Sequence, residues 1–298
     1  MKITAIILTR NESIHLKRCL KSIQSITDTI VVVDCFSTDN TLEIAQLFNA
    51  KVLQREWTNH SDQFNWALTQ LPQETEWVLR MDADEYLTSE LTNEIASKLP
   101  RLRQEIKGIY LKRRMMFQGK LIRHGGVFPA NIMRLFRFGY GQCESRLMDE
   151  HIVVKGLTDS FSAEMIDDNL NSLSWWTDKH NKYSSLEAVE LLNQEFHFMG
   201  ENISTELEAG SQASIKRWLK EKVYARLPNG FRAFLYFSYR FIFRFGFLDG
   251  QQGVAFHILQ GFWYRYLVDL KVIEVKRYMI IHQSDVKSAI KAVLGIRL

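Results

Sequence analysis

The chain has 298 residues, of which 46% are hydrophobic and 24% are charged, and its formal net charge is +4. This composition suffices for one large core or two smaller ones and excludes a disordered chain. The three cysteines are odd in number and form no CxxC pair, so they indicate neither a disulfide framework nor a cysteine zinc site and favour a reducing compartment.

The start of the chain has an apolar run only from Ile3 to Leu8 before Arg10, which is shorter than the apolar core of a signal peptide. The sequence contains no run of about 18 or more consecutive apolar residues, so a membrane-spanning helix is not predicted. We therefore expect a cytoplasmic protein.

The first part of the chain alternates apolar segments with segments of helical periodicity. Strands are predicted at Ile3–Leu8, Ile30–Val33, Lys51–Leu53 and Trp77–Met81. Apolar positions at helical spacing predict four helices, marked by Leu16, Leu20 and Ile23; Leu42, Ala45 and Phe48; Phe64, Ala67, Leu68 and Leu71; and Leu91, Ile95 and Leu99. This alternation predicts an α/β fold with a mostly parallel sheet and helices on both faces.

The pattern changes in the second part. Ile109–Phe117 and Leu121–Ile122 flank a turn and predict a hairpin, and Ile132–Phe138 predicts a further strand. From about Leu170 onward the pattern is helical. We place a boundary near residue 160, which gives a catalytic domain over 1–160 and a helical C-terminal region over 161–298.

Polar residues follow the predicted strands where their carboxyl ends would meet. They are Thr9, Asn11, Asp34, Asp82 and Asp84. In parallel sheets the ligand crevice lies outside these strand ends, so we expect the five residues to converge there.

The two carboxylates of Asp82 and Asp84 stand one residue apart after an apolar strand. Such a pair can share Mg²⁺ or Mn²⁺ with a diphosphate, because these cations prefer oxygen ligands. Acids in the first turn of a helix produce the same pattern without a metal. Both interpretations stay open at this point.

Two other polar segments have equally open interpretations. Asp34 can accept a hydrogen bond from a base or ribose, whereas the following Ser37 and Asp39 are better explained as helix caps. The loop from Thr9 to Glu12 can hold a nucleotide or cap a helix. It contains no glycine, which argues against a dinucleotide fingerprint or a phosphate loop.

Three segments together resemble the family 2 glycosyltransferases, inverting enzymes of the GT-A fold. They are Ile6–Glu12, Val31–Thr41 and Asp82–Glu85. Within that family the chain is most similar to the branch that builds lipopolysaccharide core and other surface polysaccharides. The segments 123–137, 147–154 and 248–269 extend the resemblance toward the C-terminus.

The resemblance implies a nucleotide-sugar pocket lined by Thr9, Asn11 and Glu12, with Asp34 at the base or ribose. It places Asp82 by the ribose and diphosphate and Asp84, with Asp82, at a divalent cation, Mg²⁺ or Mn²⁺. Many family members have two adjacent acids where this chain has Asp34 and Cys35. The identity of the donor base therefore stays open.

The resemblance also places the general base of the transfer at Glu150, with Asp149 as the second choice. An inverting transfer needs one carboxylate to accept the proton of the attacking hydroxyl. We expect Asp149 and Glu150 to point to opposite faces of a strand, and Glu144 to be solvated in a turn. The neighbouring His151 is more typical of a structural hydrogen-bond donor. The segments 123–126 and 131–137 are expected on the acceptor side.

The C-terminal region carries an unusual basic and aromatic stretch. Between Lys216 and Arg244 there are eight Lys or Arg against one acid, and nine of the seventeen residues from Phe231 to Phe247 are Phe or Tyr. On a helix, Arg232, Arg240 and Arg244 would share one stripe beside an aromatic surface, as in helices that lie in a bilayer interface. The alternative is an aromatic core with solvated arginines. No RNA-binding motif accompanies the stretch, and no nucleic-acid partner is expected.

Together these observations predict a metal-dependent hexosyltransferase-type enzyme, peripheral on the inner face of the cell membrane. It would move a sugar from a nucleotide diphosphate to a lipid-linked or lipopolysaccharide acceptor. Two alternatives are a nucleotidylyltransferase, which would be expected to have a glycine-rich, basic first loop, and a membrane-docked nucleotide-binding scaffold without turnover.

Overall fold

The computed structural model describes residues 1–145, 150–199, 228 and 230–298. They form two compact units. The first consists of Met1–Ile122, Val127–Ser145 and Glu150–Leu170, and the second contains Arg123–Gly126 and the described residues of Asn171–Leu298. The division of function between 1–160 and 161–298 stays a prediction.

The first unit begins with the predicted parallel strands, which lie in the order β3-β2-β1-β4. They are β1 (Ile3–Thr9), β2 (Thr29–Asp34), β3 (Lys51–Gln54) and β4 (Trp77–Asp82). The four helices of this unit are α1 (Ser13–Ile23), α2 (Thr41–Leu47), α3 (His60–Thr69) and α4 (Ser89–Lys98). All four strands and all four helices lie where the apolar spacing predicts them.

Alternate residues of each strand enter the two cores on opposite faces of the sheet, because successive side chains of a strand point to opposite sides. Ile7, Val32 and Leu79 pack with residues of α1 and α4, such as Leu16 and Leu91. On the other face, Ile6, Val31, Val33 and Val78 pack with Phe64 and Ala67 of α3. The prediction of helices on both faces is thus confirmed.

Beyond β4 the sheet becomes mixed and continues in the order β4-β8-β6-β11-β5. The strands are β5 (Glu85–Leu87), β6 (Ile106–Phe117), β7 (Lys120–Leu121), β8 (Ala130–Arg137) and β11 (Leu157–Asp168), and β9 (Gly141–Cys143) and β10 (Ile152–Val154) form a separate pair. The predicted hairpin is present as β6 and β7. Its two turn residues, Gln118 and Gly119, both have positive φ, as a tight two-residue hairpin turn requires.

Strand β11 was not predicted by the sequence. It runs across residue 160 and pairs in parallel with β6 and antiparallel with β5. Its residues, LTDSFSAEMIDD, include five Ser, Thr, Asp or Glu before Ile166 and no long apolar run. A pattern of this kind gives no clear period-2 signal, so only its pairing with β6 and β5 makes it a strand.

The second unit is helical, as predicted from about Leu170 onward. Its described elements are α5 (Leu173–Phe196), α6 (Phe231–Ser238), a π turn (Tyr239–Phe243), a 3-10 turn (Gly246–Asp249), α7 (Gly250–Phe256), a second π turn (His257–Trp263), α8 (Tyr264–His282) and α9 (Val286–Leu294). Its core joins α5, α8 and α9 through residues such as Val189, Val272 and Ile290. The α/β class with a helical, aromatic-rich C-terminal region is therefore confirmed.

The predicted arginine stripe is wrong in its orientation. Arg232 is buried and ion-paired with Asp269, and Arg240 is buried against the rings of Tyr236 and Phe256. Arg244 alone of the three is exposed. A buried guanidinium needs such partners, since an unpaired buried charge is costly.

Six of the nine Phe and Tyr side chains of this segment are exposed, and Tyr236, Phe237 and Phe241 are half-buried. Because Arg232 and Arg240 are buried, the alternative of an aromatic core with solvated arginines is also wrong. The exposed apolar residues are Phe231, Phe234, Leu235, Tyr239, Ile242, Phe243, Phe245, Phe247 and Leu248, and we call this set the aromatic face. The basic residues from Lys216 to Arg226 lie outside the described residues. None of the described helices is sufficiently long and apolar to span a bilayer.

Candidate active site

The carboxyl ends of β1, β2 and β4 lie side by side, as predicted. Thr9 pairs with Asp34 across the β1–β2 ladder, and Leu8 pairs with Asp82 across the β1–β4 ladder. Because the three strands are parallel neighbours in register, their terminal side chains share one edge of the sheet. The structure thus brings Thr9, Asp34 and Asp82 together.

Asp34 is fully buried and held by the protein on both carboxylate oxygens. Oδ1 accepts a hydrogen bond from the Thr9 hydroxyl at 2.9 Å, and Oδ2 accepts one from the Ser37 amide at 2.8 Å and another from Gln54 at 3.4 Å. These bonds fix the turn after β2, since a buried carboxylate must be satisfied by donors. The contact of Asp34 with a base or ribose stays a prediction.

The first loop is organised by its own side chains and those of the β2–α2 turn. Asn11 has a positive φ of 56°, its side-chain oxygen accepts from the Thr38 amide at 2.8 Å, and its own amide donates to the Ser37 hydroxyl at 2.8 Å. The carboxylate of Glu12 bonds His15 Nδ1 at 2.6 Å. These hydrogen bonds hold the loop in place, and its nucleotide contacts stay predictions.

Two polar residues near this loop have structural roles. Asp39 accepts hydrogen bonds from the amides of Ser13 and Thr41, at the starts of α1 and α2, which agrees with the predicted capping role. Fully buried His15, which sequence reasoning missed, bonds Glu12 through one ring nitrogen and the Leu170 amide through the other. An apolar-spaced helix position gives no sign of such a bridge.

The Asp82–Glu85 segment is not a helix N-terminus. Asp82 ends β4, Ala83 and Asp84 form a turn, and Glu85 begins β5. The next helix, α4, begins only at Ser89 and is capped by Thr88. The interpretation of these acids as first-turn residues is therefore excluded, and both carboxylates lie at the edge where β4 ends.

Arg134 of β8 is the main partner of this turn and was not predicted. Its guanidinium is buried and bonds Asp82 and Glu85, each at 2.6 Å, and Arg80 lies 3.6 Å from Asp82. Although burial opposes ionisation, Arg134 and Arg80 hold the pKa of Asp82 well below its usual range. Burial raises the pKa of Glu85, which has almost no exposed surface.

The end of β11 supplies the remaining polar groups around Asp84. The side-chain amide of Asn169 donates to Asp84 Oδ2 at 3.0 Å. The backbone amide of Asp168 donates to the backbone carbonyl of Asp84 at 3.0 Å. Burial raises the pKa of Asp167 to about 7 against the opposing charge of Arg113, which lies 3.4 Å away. These residues were missed because β11 was not predicted.

The carboxylate of Asp84 suits a hard divalent cation, because Mg²⁺ and Mn²⁺ favour oxygen ligands. Across the described part of the chain, no group of three or more His, Cys, Asp or Glu side chains is arranged to hold a metal. This donor set fits an ion that is bound by one or two carboxylates and completed by phosphates and water. Asp82 is already paired with Arg134, so Asp84 is the better ligand of the two.

The predicted base region is described in part. Glu150 is partly buried and precedes β10, which begins at Ile152, so the argument from strand alternation does not apply to it. Asp149 lies outside the described residues. The expectation that Glu144 is solvated is wrong: Glu144 is buried and accepts from the His151 amide at 3.0 Å and from its ring at 3.1 Å.

Burial raises the pKa of the Cys143 thiol to about 11. Glu150 and Glu144 add to this rise, and Arg80 and Arg134 oppose it.

The first part of the chain is similar to known proteins. The family model described as glycosyl transferase family 2 matches residues 4–129. An uncharacterized glycosyltransferase of Rickettsia conorii is 43% identical over 94 residues, which cover 32% of this chain and 33% of that protein. The match thus spans about a third of the length of that relative.

Two solved structures are also similar. Residues 1–349 of Staphylococcus aureus TarS, in complex with UDP-GlcNAc, align over 93% of this chain and 92% of that one, with 17% identity and a TM-score of 0.42. Glucosyl-3-phosphoglycerate synthase of Mycobacterium tuberculosis, in complex with Mn²⁺, UDP and glucosyl-3-phosphoglycerate, aligns over 39% of this chain and 44% of that one, with 19% identity and a TM-score of 0.33.

The matched residues include the three segments that carry the sequence resemblance, from β1 through the Asp82–Glu85 turn. The predicted GT-A fold class agrees with the parallel order β3-β2-β1-β4 and the helices on both of its faces. Residues 4–129 are therefore the part of the chain that is similar to glycosyl transferase family 2.

Proposed function

We propose that the protein is an inverting glycosyltransferase that moves a sugar from a nucleotide diphosphate onto a lipid-linked or lipopolysaccharide-type acceptor at the cytoplasmic face of a membrane. The observation that carries this proposal is the Asp82–Asp84 turn at the carboxyl end of β4, within the family match. The donor would lie along the strand ends, beside Thr9, Asn11 and Asp82.

In the proposed reaction, an acceptor hydroxyl oxygen forms a bond to the anomeric carbon of the donor sugar. The bond from that carbon to the diphosphate oxygen breaks, and the diphosphate leaves on the opposite side. Glu150 accepts the proton of the attacking hydroxyl. A positioned carboxylate base of this kind contributes about 10²- to 10⁴-fold to a rate.

A divalent cation, Mg²⁺ or Mn²⁺, would be held by Asp84 with Asp82 beside it, and it would supply positive charge against the leaving diphosphate. The chain itself contributes the ordering of these acids. Arg134 keeps Asp82 ionised and in place, and Asn169 orients Asp84. Neither contact depends on a bound ligand.

The membrane part of the proposal is supported by the aromatic face. Phe243 is 70% exposed, and Phe234 and Ile242 are more than half exposed. Contiguous exposed apolar residues mark interaction surfaces, and aromatic side chains favour the bilayer interface. Arg232 and Arg240 are buried within the second unit. They therefore do not contact lipid headgroups in this proposal.

The proposal predicts that Asp84→Asn abolishes transfer and donor hydrolysis while leaving the fold intact, because Asp84 is a partly exposed turn residue. The measurement is release of nucleoside diphosphate from a panel of nucleotide sugars, with and without Mn²⁺ or Mg²⁺. Glu105→Gln changes an exposed acid just before β6 that is not among the candidate site residues. It is the matched control and should behave like the wild type.

Two further measurements separate the alternative functions. Formation of a nucleotide sugar from a sugar phosphate and a nucleoside triphosphate would favour a nucleotidylyltransferase. Donor binding without any turnover would favour a scaffold. Wild-type rates for Asp84→Asn, or full activity in excess chelator, would remove the metal assignment.

A further inference from the structure

The second unit contains a polar cluster that the proposed reaction does not use. It is built from the loop Arg123–Gly126, which follows β7, and from the turn and helix around Asp249 and His257. All of its members belong to the second unit. We call it the Arg123 loop cluster.

Asp249 holds the start of this loop. Its carboxylate is buried, Oδ2 accepts from the amides of Arg123 and His124 at 3.0 and 2.8 Å, and Oδ1 bonds His124 Nδ1 at 2.7 Å. A carboxylate that takes three bonds from two adjacent residues fixes both their backbone and the imidazole ring. Because Nδ1 donates to Asp249, Nε2 of the partly exposed His124 can donate to an anion only in the imidazolium form of the ring.

The middle of the loop is held by the segment that carries the aromatic face. The Gly125 amide donates to the Arg244 carbonyl at 2.8 Å, and the Gly125 carbonyl accepts from Arg240 at 3.0 Å. Both Gly125 and Gly126 have positive φ, 73° and 69°. A Cβ on Gly125 would lie 2.0 Å from the His257 ring, so only glycine permits this approach.

His257 is a fully buried imidazole whose two nitrogens have no hydrogen-bond partner among the residues that the structure describes. Burial and the charge of Arg240 lower its pKa to about 4, so the ring is neutral near pH 7. Unsatisfied buried nitrogens are costly, and such groups are typically retained at sites with a function. Here the ring and both nitrogens face Gly125.

The exposed side of the cluster is positively charged. Arg123 and Arg244 are exposed, and within the described ranges no acid pairs with either guanidinium. The Arg244 side chain lies beside Gly126, because a Cβ added to Gly126 would be 3.6 Å from Arg244 Nε. The Gly126 amide also has no acceptor among the described residues. The loop and the neighbouring Arg244 therefore carry two guanidinium groups, an imidazole and a backbone amide.

We propose that Arg123, His124, Arg244 and the Gly126 amide bind a phosphate group carried by the acceptor. Guanidinium forks and backbone amides match phosphate oxygens in geometry and charge. The only described acid in the cluster, Asp249, is buried beneath the loop and occupied by it. That the phosphate belongs to the acceptor rests on the proposed function, whereas the phosphate chemistry does not.

The test is calorimetric titration of the full chain with pyrophosphate in chelator, which removes metal-dependent binding elsewhere. Arg123→Gln and Arg244→Gln should each weaken binding about tenfold or more, as expected for loss of a charge-assisted hydrogen bond. Arg103→Gln, at an exposed arginine of the first unit, is the matched control and should bind like the wild type.

A second arm identifies the source of the phosphate. Vesicles of phosphatidylcholine with and without phosphatidylglycerol replace pyrophosphate as the probe. Arginine-dependent binding to the anionic vesicles alone would assign the site to a lipid headgroup phosphate, and arginine-dependent pyrophosphate binding would assign it to a soluble or sugar-borne phosphate.

The inference is overturned if the wild type binds neither probe, or if Arg123→Gln and Arg244→Gln bind as tightly as Arg103→Gln. Failure of the proposed function is a separate result. Arginine-dependent phosphate binding in a protein that hydrolyses no nucleotide sugar would keep the phosphate site and remove the glycosyltransferase assignment.

Discussion

Arg134 and Glu85 are charged residues with almost no exposed surface, and together they position Asp82. Removing one partner of a buried ion pair is strongly destabilising, because it leaves an uncompensated charge. The arrangement also sets the protonation state of the turn, since the arginine keeps Asp82 ionised. At the residue scale, the candidate site is therefore ordered by contacts between buried charged groups of the protein itself.

Glu150 is the residue that most directly tests the proposed chemistry. Glu150→Gln removes the proton acceptor but keeps a side chain of nearly the same size, so we expect normal donor binding and a transfer rate lower by about 10² to 10⁴. The measurement is single-turnover transfer together with donor affinity.

Asp149→Asn is the companion variant for this prediction. If Glu150→Gln keeps near-normal turnover and Asp149→Asn loses it, the base is Asp149. If both variants keep their turnover, the base lies outside this pair.

At the scale of elements, α4 is fastened to β11 by one carboxylate. Glu94 is buried and accepts from the Ser162 amide at 3.0 Å and the Ala163 amide at 2.7 Å, and Lys98 bonds it at 2.7 Å. These bonds lie at the register shift of β11 between Ser160 and Glu164. They satisfy amides that the irregular pairing leaves without a strand partner.

This contact predicts a pH-dependent stability. Burial would raise the pKa of Glu94, but the bonds from Lys98, Ala163 and Ser162 lower it to about 2. A carboxylate with a depressed folded-state pKa contributes stability that is present above the unfolded value, near 4.3, and is lost as the pH falls through about 2. Glu94→Gln should lower the free energy of unfolding by about 1–3 kcal/mol at pH 7.

Urea unfolding of both proteins between pH 7 and pH 3 measures this effect. The difference between wild type and Glu94→Gln should shrink toward pH 3, while Glu105→Gln should match the wild type throughout. A difference that stays constant over this range would contradict the role assigned to the Glu94 charge.

At the scale of the whole molecule, the aromatic face is an exposed apolar surface of the part of the chain that the structure describes. We predict that the protein sediments with anionic liposomes and that Phe234→Ser combined with Phe243→Ser reduces the bound fraction by tenfold or more. Burying one large apolar side chain stabilises by about 1.5–3 kcal/mol, and every 1.4 kcal/mol is about tenfold.

Leu47→Ser, at a residue of α2 that is 77% exposed, is the matched control and should sediment like the wild type. Because Arg232 and Arg240 are buried, salt should weaken this binding only modestly. Equal sedimentation of the double variant and the wild type would show that the aromatic face serves another interaction.

Strands β1 to β4, the helices between them and the polar edge at Thr9, Asp34 and Asp82 could be predicted from the sequence alone. These features depend on local periodicity and on the rule that parallel strands end together, and both are visible in a short window of residues. The family resemblance rested on the same segments, which the family model also matches.

The partners of Asp82 and Asp84 are visible only in the folded structure. Arg134 reaches Asp82 from 52 positions away along the chain, and Asn169 reaches Asp84 from 85 positions away. The sequence pattern also predicted Arg232 and Arg240 on the surface. In the structure both are buried in the second unit, where Arg232 bonds Asp269 and Arg240 bonds the Gly125 carbonyl. Helical spacing shows which residues share a face, but which face becomes buried depends on partners distant in sequence.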